Sequence, residues 1–150
     1  PFVPAGDEYA LGTLLPHLCD PIARYLRVFD KIEAAGYADV DLNSDLAWFP
    51  AEAQRHRDLV TLRPTGADRA GMLADLAAAH ARVHTRFGSL DPAAFVRQAG
   101  VIYSPGAALY PTSAQDIMGW LIDHYDEHTA QVAKMLTEWN ARSQSPDEKE

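Results

Sequence analysis

Apolar side chains recur at threes and fours through three long runs of this chain, and that spacing restricts it to a helical fold. From Leu11 they fall at Leu11, Leu15, Leu18, Ile22, Tyr25, Phe29 and Ile32, a single stripe along a helix. Pro16 and Pro21 interrupt the run, which predicts a kink or a restart, with Asp20 as N-cap and Pro21 at the first helical position. Gly36 should end it. A second run, over about residues 67–87, places Leu73, Leu76, His80, Val83, Phe87 and Leu90 inward. The third starts at Thr112, a cap with Gln115 as its capping-box partner, and reaches about Trp139. It turns Ile117, Leu121, Tyr125, His128, Val132, Met135 and Trp139 toward the core.

Shorter pieces join these runs. Residues 37–66 are loop-like around a short helix opening at Pro50, and Asp91 with Pro92 opens another in DPAAFVRQ. The stretch 99–111 holds two prolines and two glycines and reads as a loop. No run alternates with period two, and VIYS is too short to found a sheet. The expectation is an all-α bundle forming one domain over residues 1–150, with an extended segment at 1–6 and a solvated tail at 142–150.

Composition narrows the function classes. The net charge of -8, with three lysines and ten arginines scattered among acids, argues against a nucleic-acid partner. No stretch approaches the roughly 20 apolar residues needed to span a bilayer. A single cysteine, Cys19, excludes an internal disulfide and fits a reducing compartment, so a cytoplasmic location is expected.

The chemistry concentrates in HYDEHTAQ, residues 124–131. Residues four apart on a helix are stacked neighbours, so His124 and His128 can converge on one ion, and Gln131 continues the same polar line. The competing reading is a chance pair on a solvated face. His80 and His84 repeat the spacing. His80 falls in the apolar seam, either approaching a site or bonded to a core neighbour, while His56 should be exposed. Bridging carboxylates for a dinuclear site are missing: the positions that would carry them hold Val60 and Thr129, and Glu-x-x-His occurs nowhere. Cys19 lies about 200° around the helix from His17, which favours a buried structural thiol over a nucleophile. Trp48 and Phe49 either wall a substrate pocket or plug the core.

The segment DIMGWLIDHYDEHTAQVAKML resembles the final helix of the DinB-like (DinB/YfiT) metal-binding bundle superfamily, which carries H-x3-H followed by Gln. DEYALGTLLPHLCDPIARYL resembles that family's second helix, with Tyr9-Ala10 where the family has Trp-Ser, and with His17-Leu18 kept. DLAAAHARVHTRFGSLDPAAF resembles the third helix and its exit, so the similarity covers about residues 7–140. The family's first helix has no counterpart, which implies either an upstream segment or a homodimer in which a neighbouring chain completes the bundle.

The resemblance implies a four-helix bundle in which His17, His124 and His128 hold a divalent metal (zinc, nickel or iron) with a position left open. Asp20 and Asp123 would be either acceptors for ligand N–H groups or ordinary surface acids. It further implies a metal-dependent transferase or isomerase acting on a small molecule with a low-molecular-weight thiol. The bias to arginine and alanine suggests a GC-rich genome, where that thiol would be mycothiol-like. The alternatives are a non-catalytic metal- or partner-binding bundle, and a hydrolase or oxidase on the same scaffold. Ala130 stands where oxidative relatives carry glutamate, which weakens the oxidase. Histidine ligation predicts that metal affinity falls below about pH 6.5.

Overall fold

The computed structural model describes residues 10–144; the expected extended segment at 1–6 and the expected tail beyond Gln144 lie outside them. A 3-10 turn at Leu11–Thr13 leads into helix α1, Leu14–Ala34. The two prolines do not divide it, contrary to the predicted restart. Pro16 falls in the first turn, where an N–H would have no partner within the helix. Pro21 lies inside α1 and withholds one bond, the amide that would otherwise reach the His17 carbonyl. Asp20 is therefore a helical residue, not a cap. Gly36, with φ of 60°, follows the end of the helix as expected.

Helix α2 spans Trp48–Thr61, α3 Arg69–Gly88, α4 Pro92–Val96 and α5 Ala114–Gln144. Asp91 caps α4 by accepting from the amides of Ala93 and Ala94. At α5 the cap falls one residue later than predicted. The Ser113 hydroxyl accepts from the Asp116 amide at 3.1 Å while Asp116 accepts from the Ser113 amide at 2.9 Å. The helix also runs to Gln144, so residues 142–144 of the expected tail are helical.

The all-α expectation needs one correction, because a small three-stranded sheet caps this mostly helical fold. Its strands are β1 (Val40–Asp41), β2 (Ala99–Ile102) and β3 (Tyr110–Thr112), in that spatial order. β1 runs parallel to β2 with Val40 opposite Val101, and β2 antiparallel to β3 with Ala99 opposite Thr112. Strands of two to four residues carry no readable alternation, so tertiary pairing, not local pattern, creates them.

Among the described residues two apolar clusters form the interior. The larger gathers Ile22, Phe29, Ile32, Val101, Ile117 and Leu121, among others, between α1, α3, α5 and the sheet. The smaller holds Leu14 and Met135 with Leu11, Leu59, Val60 and Val132. Three residues expected inside are not: Leu73 is 44% exposed, Trp139 49%, and His80 is also exposed. On α3 the buried stripe is Ala79, Val83 and Phe87, a run of fours that turns His80 outward. Trp48 is a core plug, 5% exposed, with Arg27 and Lys31 each 5.6 Å from its ring centroid. Among the described residues no helix is long and apolar enough to cross a membrane.

Candidate metal centre

Helix α1 delivers His17, and α5 delivers His124 and His128 from successive turns. One ring nitrogen from each lies within 4.8 Å of the other two. His17 Nε2 and His128 Nε2 are 3.0 Å apart, and the rings of His124 and His128 meet edge-on with centroids 4.3 Å apart. A tetrahedral ion with metal–nitrogen bonds of roughly 2.0–2.1 Å would set such nitrogens about 3.4 Å apart, a small adjustment for side chains already converged. Along both helices the histidines lie between the two apolar clusters: Leu14, His17, Ile22 on α1, and Leu121, His124, His128, Val132 on α5.

Hydrogen bonding prepares one ligand. His128 Nδ1 donates to Gln131 Oε1 at 2.6 Å, since an amide oxygen can only accept. The proton is thereby held on Nδ1, and the lone pair of Nε2 faces His17. His124 Nε2 is buried and has no hydrogen-bond partner among the described residues. Buried nitrogens ordinarily find one, and a shared cation would satisfy it. The three-imidazole donor set thus fits a borderline divalent ion.

Burial shapes the protonation of the cluster. His17 is pushed down to about 4, first by desolvation and then by repulsion from His128, His124 and His56. Desolvation also lowers His124, with His128 adding to it and Glu127 opposing it. These two rings stay neutral, the form that coordinates a metal.

A cavity of about 660 Å³ opens beside His17 and His124. Its walls include Asp20 and Arg24 of α1, Glu52 and His56 of α2, and Trp120 and Glu127 of α5. Glu52 ties α2 to α1: it pairs with Arg27 at 2.7 Å, more loosely with Arg24 at 3.8 Å, and with Arg55 of its own helix. Asp20 joins through Arg55 at 3.3 Å. Desolvation and the Glu52 charge raise the Asp20 carboxyl above its ordinary value.

The structure therefore brings together the three histidines picked out by the sequence. It leaves out His80, whose ring bonds the Tyr125 hydroxyl at 2.5 Å, and His84, which is exposed on α3. His56 is exposed as expected, though it reaches the cavity. Neither Asp20 nor Asp123 is the acceptor for a ligand ring; Gln131 is. Cys19 is half-buried with its thiol directed to the Leu15 carbonyl at 3.5 Å, and burial pushes its pKa up, as suits a structural thiol.

Sequence reasoning missed Arg24, Glu52 and Trp120 as cavity walls. Two of them carried a signal, since Arg24 lies seven residues past His17 and Trp120 four before His124, on the same helix faces. No protein-family model, no curated protein and no solved structure matches this chain.

Proposed function

We propose that this chain is a metal-dependent enzyme of the DinB-like type, using His17, His124 and His128 to hold a divalent ion at the lip of the cavity. The observation that supports it is the convergence of three imidazoles from opposite ends of the chain next to an open volume. Three protein ligands with one position left open is the arrangement of a catalytic site; a structural site is closed by four. A divalent ion held by His17, His124 and His128 would supply Lewis acidity, enough to lower the pKa of a thiol or water brought to it.

The chain's own residues define the rest. Gln131 orients the His128 ring, the apolar clusters flank the histidines while His17 and His124 face the cavity, and the Glu52 network ties α2 to α1 along its wall. The favoured reaction is transfer or isomerisation of a small molecule with a low-molecular-weight thiol. The cavity of about 660 Å³ lies within the range of small-molecule sites.

The test uses untagged protein stripped of metal and titrated with Co²⁺. One equivalent should bind with visible absorption typical of four-coordinate nitrogen ligation, and His17→Ala, His124→Ala and His128→Ala should each weaken binding. Adding N-acetylcysteine or mycothiol should then produce a near-ultraviolet sulfur-to-cobalt band. Undiminished Co²⁺ binding in the histidine variants would overturn the site, and a spectrum unmoved by either thiol would overturn the thiol chemistry.

A further inference from the structure

Next to the histidine cavity lies a second one of about 350 Å³, lined by Arg24, Tyr25, Tyr103, Tyr110 and Trp120. Arg24, Tyr25 and Trp120 line both cavities, so the two share a wall. Trp120 is the hub of the second. Tyr25, Tyr103 and Tyr110 surround it with ring centroids 5.3, 6.2 and 5.8 Å away. Their planes tilt by 47°, 80° and 55° from the indole, so none of the three covers an indole face by parallel stacking. Tyr103 is locked by its hydroxyl contact with Thr112 Oγ1 at 3.0 Å, and Tyr110 forms the rim, 54% exposed.

The charge pattern is one-sided. Among the described residues Arg24 is the single charged group lining this second cavity. The acids Asp123 and Glu127 line only the histidine cavity. Among the described residues the Arg24 guanidinium makes no hydrogen bond, and its Nε is buried. Its ion pair with Glu52 is the long one of the network, where Arg24, Arg27 and Arg55 share the carboxylates of Glu52 and Asp20. Arg24 is thus the most loosely held guanidinium of that network and also lines the second cavity, where an incoming anion would pair with it.

We infer that the Trp120 cavity is a binding subsite for a planar anion, an aromatic or conjugated carboxylate, with its ring against the indole and its carboxylate on Arg24. A guanidinium takes a carboxylate in a two-pronged geometry, and aromatic walls favour a flat partner over a saturated one. Its role as the outer part of a substrate site rests on the enzymatic reading of the histidine cavity; binding of the anion does not.

The test is fluorine NMR of protein labelled with 5-fluorotryptophan, titrated with benzoate in zinc-loaded and metal-free forms. Benzoate should shift the Trp120 resonance saturably and leave Trp48 and Trp139 unmoved. Arg24→Gln should weaken binding about tenfold or more, Arg24→Lys less, and benzyl alcohol should bind wild-type protein as weakly as benzoate binds the Gln variant. The buried Trp48 resonance reports whether a variant is folded. If Arg24→Gln disturbs it, the comparison of benzoate with benzyl alcohol on wild-type protein decides. A silent Trp120 resonance, equal binding by the Gln variant, or tighter binding of benzylamine than benzoate would overturn the inference. Failure to take up zinc with the Trp120 shift intact would count against the metal site alone.

Discussion

At the scale of single residues, the Gln131–His128 bond does the most with the least. By fixing the proton on Nδ1 it presents a ready lone pair, and its removal should cost metal affinity without unfolding the helix. Gln131→Leu is expected to weaken Co²⁺ or Zn²⁺ binding by about 10- to 100-fold at unchanged far-ultraviolet circular dichroism, measured by competition with a chelator. The lowered His17 pKa makes a second prediction, for metal-free protein. Between the ordinary value of 6.5 and about 4, the unfolded chain binds a proton at this residue that the folded chain refuses. Its contribution to stability is therefore complete above pH 6.5 and lost as pH falls toward 4. Thermal melts across that window should show a decline that His17→Gln reduces. His124, His128 and Gln131 were legible because they share one helical stripe, whereas His17, on another helix, came only from the family resemblance. Arg24 carried only its place two turns past His17, since an arginine on a helix face looks the same whether it meets water or a cavity.

Among elements, α2 joins α1 through polar contacts as well as apolar ones, since Trp48 is its one fully buried residue while Phe49, Leu59 and Val60 pack half-buried on the two clusters. The key is Glu52, whose side chain is only 16% exposed while serving Arg24, Arg27 and Arg55. Glu52→Gln keeps the size and removes the charge, leaving Arg24 and Arg27 without their carboxylate and Arg55 with Asp20 alone. We expect a loss of about 1–2 kcal/mol in stability, with hydrogen exchange of α2 amides accelerated more than that of α1. The helices themselves were readable from spacing, within a few residues at each end. Two features were not. α1 continues through Pro21 because tertiary packing outweighs one missing bond, and β2 forms because β1 and β3 flank it. Neither cause is local, so neither leaves a local pattern.

For the molecule as a whole, periodicity conveyed the helices, only the family resemblance implied the meeting of α1 with α5, and the small sheet was missed. Nothing in the spacing of either helix announces how the interior is divided. The imidazole layer separates a large apolar cluster from a small one built on Leu14 and Met135. The consequence is one of cooperativity. Without an ion, little apolar contact passes through that waist, so the small end can melt while the large end stays intact. Calorimetry of metal-free protein should resolve two endotherms, which merge into one at higher temperature when zinc fastens His17 to His128 across 111 positions of chain. A single sharp endotherm in both forms would mean that the two ends already fold as one unit.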